Sequence, residues 1–250
     1  MRLIALALPV VWISLAACSS APEKPEAAVT GTSGVAMSGQ VPQAGKALRV
    51  GGSDEQVTID SRGNYKASKV AIDTPLPEGY PAPTPPGAIE LKTYPAVRRA
   101  EVVGATTNPD QGMNGAFWPL FNHIKKHEIA MTSPVEMDYQ GLEGSRDVQP
   151  ASWSMAFLYR TRDLNPTGQE GNVTVRDAEP VTVAAVGVRG DYGMTTMRRG
   201  MEQIEQWLAA NPRWEAAGNW RMLAYNGPKL AYWNKWAEVQ IPVRPVDAVR

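Results

Sequence analysis

The chain has 250 residues, 43% apolar and 20% charged, with 25 basic residues balancing 25 acidic ones. These proportions exclude a wholly disordered chain, and zero net charge removes the basic footprint of a nucleic-acid binder, so no nucleic-acid partner is expected. A single cysteine excludes an intramolecular disulfide and a cysteine-rich zinc site.

Met1-Arg2 gives a positive start, and the apolar run Leu3 to Ala17 is shorter than the roughly 17–25 residues a membrane-spanning helix requires. It ends Leu15-Ala16-Ala17-Cys18, followed by Ser19-Ser20. This resembles a bacterial lipoprotein signal, which implies that residues 1–17 are removed and that Cys18 is lipidated and becomes the N-terminus. Multiple acyl chains anchor firmly, at about 0.8 kcal/mol per buried methylene. The expected location is the cell envelope, on the periplasmic side of the outer membrane in a Gram-negative host.

Residues 18–46 are rich in Ala, Pro, Glu, Ser and Gly and read as a flexible tether. Alternation around Val57–Asp60 and Tyr65–Ala67, with Gly63-Asn64 between, predicts a short hairpin extension within 47–73. Residues 74–87 carry Pro75, Pro77, Pro81, Pro83, Pro85 and Pro86 and read as an extended linker, so the folded domain is expected over 88–243, with a tail at 244–250.

Within that domain Ala88–Pro95 and Ala96–Val103 alternate with period two and predict strands. Asn114–Lys126 switches to the helical period, with Phe117, Leu120, Phe121 and Ile124 on one face and Asn114 as N-cap. Strands are expected at Glu128–Tyr139 and Ala151–Arg160. The order then recurs: a strand at Pro180–Arg189, a helix at Thr195–Ala210 ending at Asn211-Pro212, and strands at Asn219–Tyr225 and Trp236–Val243. Two β-α-β-β units predict an α+β fold, with barrel and sandwich left open by periodicity alone.

Several strings then coincide. Phe117-x-x-Leu120-x-x-His123-Ile124 is followed by Met131-Thr132-Ser133-Pro134-Val135. Downstream come Ala224-Tyr225-Asn226-Gly227-Pro228 and Asn234-Lys235-Trp236-Ala237-Glu238-Val239. Together with the first strand Ile89–Ala96, they resemble the SOUL haem-binding protein family across residues 88–243. The resemblance implies a distorted β-barrel of two β-α-β-β repeats with two flanking helices, related to effector-binding domains, that binds haem or another tetrapyrrole. It places the ligand beside the first helix, at Phe117, Phe121, Asn122 and His123. Thr93 stands where some relatives carry a histidine, which removes an axial ligand from the first strand. His123, at the family's aromatic position, and after it His127 are the candidates for the iron, with a partly buried packing role for His123 as the alternative.

The residues allow other roles. His123 and His127 are spaced i, i+4 and can share one metal if further ligands join them, although no H-E-x-x-H is present. Lys125 and Lys126 are candidates for haem propionates. Met131, Met197 and Met201 read first as core, and Trp233 and Trp236 as packing or stacking residues. Glu128, Glu136, Asp138 and Glu238 are scattered carboxylates. No nucleophile elbow, phosphate loop or dinucleotide fingerprint occurs, and Gly187 and Gly190 do not make one. The expectation is a lipid-anchored, non-catalytic haem-binding envelope protein. The alternative is an interaction module whose barrel takes a lipid, peptide or other apolar ligand and no haem; a small-molecule enzyme rests on fold analogy alone. No protein partner is named by the sequence.

Overall fold

A computed structural model describes residues 40–142 and 148–246. The signal segment with Cys18, most of the tether and residues 247–250 lie outside the described residues. The chain begins with β1 (Ala47–Gly52), then three short strands, β2 (Thr58–Ile59), β3 (Tyr65–Ala67) and β4 (Val70–Ile72). After a proline-rich segment come β5 (Ala88–Tyr94), β6 (Val97–Val103), helix α1 (Pro109–Lys126), β7 (Val135–Gln140) and β8 (Ser152–Leu158). The rest comprises β9 (Gly168–Glu170), β10 (Val173–Ala178), β11 (Val181–Arg189), α2 (Met194–Ala210), β12 (Trp214–Ala216), β13 (Trp220–Ala224) and β14 (Trp236–Pro245).

Eleven strands form one sheet in the order β1-β5-β11-β14-β13-β7-β8-β6-β10-β9, with β12 added on β14. Every ladder in it is antiparallel. The fold is α+β, as expected. The path has two ends, β1 and β9, and no ladder joins them among the described residues. β2, β3 and β4 form a separate small sheet, which turns at Asp60–Asn64 as the Gly63-Asn64 pair predicts. The Asp60 carboxylate accepts the backbone N–H groups of Arg62 and Asn64, and these bonds hold its pKa below the ordinary value.

Period-two alternation along the central strands divides the buried residues between two faces. Ala184, Val186 and Val188 on β11, Met222 and Ala224 on β13, and Ala237, Val239 and Ile241 on β14 face the two helices. Their neighbours Val183, Ala185, Leu223, Tyr225 and Trp236 face the small sheet. On the first face α1 covers β6, β8 and β10, while α2 covers β11 and β14. α2 brings Met197, Met201 and Ile204 into the core, as the sequence predicts, with Trp207 beside them.

α1 begins earlier than the periodicity indicates. Asn108, not Asn114, is the N-cap: its side chain accepts the Asp110 N–H at 3.1 Å, and Pro109 occupies the first turn, where a missing N–H costs nothing. Gly112 and Gly115 hide the helix in the sequence. Gly112 is required by packing, since a Cβ there would stand 2.5 Å from the ring of buried Trp153. The strand expected from Glu128 starts only at Val135, because Glu128 takes a positive φ of 54° and residues 131–134 form a loop.

The proline-rich segment 74–87 is extended, but it lies on the sheet rather than between domains. The Thr84 N–H donates to Glu238 Oε1 at 2.7 Å, Trp236 Nε1 donates to the Thr84 carbonyl at 2.8 Å, and Lys92 Nζ donates to the Ala82 carbonyl at 2.7 Å. Pro86 bridges Gly187, where a Cβ would meet the Pro85 carbonyl oxygen at 2.2 Å. Residues 47–87, set apart by the sequence reading, are thus tied to the domain. The segment forms a strap whose non-proline positions, Ala82 and Thr84, supply the backbone groups that cap the polar sheet face.

Candidate functional site

On the helix face a cleft of about 490 Å³ opens between α1 and strands β7 and β8, within the usual range of roughly 300–1,000 Å³ for small-molecule sites. One stripe of α1 forms a wall: Met113, Phe117 and Phe121 at i, i+4 and i+8, with Asn114 and Trp118 alongside. Met131, Val135, Met137 and Met155 line the opposite side. The rings of Phe117 and Phe121 stack at 5.9 Å and 14°, and Phe157 meets Phe117 edge-on at 5.2 Å. Trp118 is 57% exposed and Phe121 37%, so the aromatic wall runs out to solvent.

The loops at the mouth are fixed by buried polar contacts. Thr132 Oγ1 donates to the Leu158 carbonyl, and Ser133 Oγ donates to the Tyr225 carbonyl at 3.0 Å. Ser133 N–H donates to the Pro75 carbonyl at 2.9 Å, tying this rim to the strap. Asn226 joins three segments: its Nδ2 donates to the Ala71 carbonyl, its Oδ1 accepts the Trp236 N–H, and its own N–H donates to the Tyr192 hydroxyl, each at 2.8 Å. Burial pushes the Tyr192 phenol pKa upward, so the hydroxyl stays protonated and donates to the Asn226 carbonyl.

Of the four ligand positions expected from the sequence, Phe117 and Phe121 line the cleft. Asn122 and His123 do not. At 100° per residue, position 123 lies about 120° around the helix from Phe117, so a stripe holding 117 and 121 excludes it. His123 is buried on another side of α1, with Nε2 3.0 Å from the Tyr159 hydroxyl and 3.4 Å from Asn165 Nδ2. Burial lowers its pKa, as does the nearby His127, while Glu170 opposes the shift. His123 is therefore not available to a ligand in the cleft. His127 and Lys126 instead contact Glu170, Trp233 is 61% exposed outside the lining, and Trp236 is buried beneath the strap. Thr93 bonds Thr182 across the β5–β11 ladder at 2.9 Å.

Sequence reasoning missed Met113, Trp118, Met137, Met155, Tyr192 and Asn226. Extending the helical stripe one turn towards the N-terminus reaches Met113, and Trp118 is the i−3 neighbour of Phe121 on the same side. The strand methionines carry no local mark that separates a lining residue from a core residue.

The opposite face gathers three of the carboxylates that look scattered in the sequence, Glu136, Asp138 and Glu238, while Glu128 stays exposed after α1. Glu238, fully buried, accepts from Lys92 Nζ at 2.9 Å and from the Tyr225 hydroxyl at 2.6 Å. Burial alone would raise its pKa; Lys92 and the hydrogen bonds from Tyr225 and Thr84 outweigh it and hold the carboxyl below its ordinary value. Glu136 pairs with Arg99 at 2.7 Å and lies 3.5 Å from Arg221, while Asp138 meets Arg99 at 2.5 Å. These groups border a second, polar cavity of about 300 Å³ beside Tyr80 and Tyr94.

An open-ended antiparallel sheet, two helices on one face and an apolar cleft under the first helix define a small-ligand-binding α+β domain. The SOUL heme-binding protein model matches residues 80–242, and the chain belongs to that family. No curated protein sequence matches it. Among solved structures, the EcmrR C-terminal domain is similar at 18% identity and TM-score 0.51, covering 63% of this chain and 98% of that one. EcmrR in a cryo-EM complex with DNA aligns at 17% identity and TM-score 0.52, over 63% of this chain and only 57% of EcmrR. A hydrolase from Listeria innocua aligns at 12% identity and TM-score 0.47, over 65% of this chain and 93% of that one. At these identities the property shared with EcmrR is the fold.

Proposed function

We propose that the cleft beside α1 binds haem or a similar tetrapyrrole without turnover, in a protein tethered to the cell envelope by lipid on Cys18. The observation that carries this reading is the cleft itself, a slot with stacked phenylalanines on one wall and methionines on the other. A planar apolar macrocycle gains from offset stacking on such a wall and from soft thioether contacts. Lys235 and Asn226 at the rim supply the polar groups a propionate edge needs.

The residues fit the macrocycle better than they fit a histidine-ligated iron. Both histidines stand elsewhere, so the lining groups that would meet an iron are methionine thioethers and the hydroxyls of Tyr192 and Tyr225. That placement favours a second reading, an iron-free apolar ligand such as a porphyrin or acyl chain in the same cleft. Haemin titration of the full chain in detergent tests the proposal. Saturation at one equivalent with a Soret shift is expected; non-saturating partitioning would overturn specific haem binding. Tighter uptake of iron-free protoporphyrin than of haemin would select the second reading. Changing Cys18 to Ser should release the protein from membranes, and unchanged membrane fractionation would contradict the tether.

A further inference from the structure

The chain's two histidines meet a carboxylate at a place the cleft does not use. His123 lies in the last turn of α1, His127 is its C-cap, and Glu170 ends β9, the terminal strand of the sheet. Glu170 Oε2 is 3.2 Å from His123 Nδ1 and 2.7 Å from His127 Nε2, and the three donor atoms lie within 4.8 Å of one another. We propose that His123 Nδ1, His127 Nε2 and Glu170 Oε2 form a site for one divalent transition-metal ion, zinc foremost, with a coordination position left open to solvent.

The donor set is that of a three-ligand zinc site, two imidazoles and one carboxylate. Bonds of about 2.0–2.1 Å in tetrahedral array put neighbouring donors roughly 3.3 Å apart, so the observed separations need only small side-chain movements. Hydrogen bonding alone does not account for the cluster. His127 bonds the carboxylate, but His123 Nδ1 is buried without a hydrogen-bond partner, facing the same oxygen. The Tyr159 hydroxyl at His123 Nε2 serves as the outer partner that orients a ligating ring. Lys126 occupies the other oxygen of Glu170, which leaves Oε2 as a monodentate donor. The C-terminus of α1 turns its carbonyl end toward the site, favourable to a cation. His127 and Glu170 have side chains 30% and 41% exposed, giving an ion a route in and water a place in its shell.

The test uses the full chain in detergent, without a polyhistidine tag and stripped with chelator. Calorimetry with Zn²⁺ should give one ion per chain, and Co²⁺ should give the visible absorption of a four- or five-coordinate ion with nitrogen ligands. Loss of an outer partner typically weakens a metal site roughly 10–100-fold, so Glu170→Gln and His127→Asn, each a lost ligand, should weaken it by at least about 100-fold. Both side chains are partly exposed, and circular dichroism checks that the variants fold. Failure to saturate at one equivalent, or equal affinity in wild type and both variants, would overturn the proposal. Haemin uptake should be the same in these variants, which separates this site from the cleft.

Discussion

The two faces of one sheet are used in opposite ways. Beneath α1, methionines and aromatics leave a slot of about 490 Å³ that reaches solvent at Trp118. On the other face the proline-rich strap lies over a buried lysine, glutamate, glutamine and two tyrosines that satisfy one another. Apolar side chains make no directional demands, so they can line a space that opens and fills. Buried charges need partners or water, so the face that holds them is covered by the strap around Glu238 and keeps only a small polar cavity beside Arg99 and Arg221. The contrast teaches where adaptability resides: in the methionine wall, with the strap and its charges holding the sheet behind it.

The comparison breaks most severely at the sealed face. Lys92→Met leaves Glu238 buried without its cation and should cost roughly 3–5 kcal/mol, read from denaturant unfolding; a loss below about 1 kcal/mol would mean that the pair is not desolvated as described. Because Glu238 is held below its ordinary pKa of 4.5, its stabilising contribution is complete above that value and fades as pH falls through the depressed one. Glu238→Gln should therefore flatten the acid side of the stability profile. An unchanged acid limb would assign acid unfolding to other groups.

Next in size, Gly187→Ala forces a methyl against the Pro85 and Thr84 carbonyls and should destabilise by about 1–3 kcal/mol. Thermal unfolding equal to wild type would show that the strap moves aside freely. At the open face, Phe117→Ala removes a stacking surface worth about 0.5–1.5 kcal/mol beyond area burial, so haemin affinity should fall close to tenfold. The smallest effect is expected from Asn122→Ala, which lies off the lining; a comparable loss there would relocate the ligand. An unaltered haem spectrum in His127→Asn should accompany it.

Most strands and both helices within 88–243 are legible because the two sides of each element carry different letters: Ile89, Leu91 and Thr93 alternate with Glu90, Lys92 and Tyr94, and the apolar face of Met194–Ala210 recurs at the helical period, whereas β9 and β12 carry no such pattern. What escaped was held by long-range contacts. β1 pairs β5 across some forty residues, and the strap's role depends on Glu238 far downstream, so neither leaves a local pattern. Phe117 and Phe121 fall in the cleft lining because they share a helical stripe; His123 falls outside it because a family motif specifies a position along the helix and not the angle around it. Glu170 was invisible as a partner until β9 folded back beside the end of α1.

Ligand is expected to enter beneath α1 and leave the strap face untouched. Hydrogen–deuterium exchange with and without bound protoporphyrin reads both faces in one experiment. Protection should rise in the loops at 131–134 and 226–228, with 78–87 and the strands around Arg99 and Arg221 unchanged. Protection confined to the Arg99 and Arg221 region would contradict it.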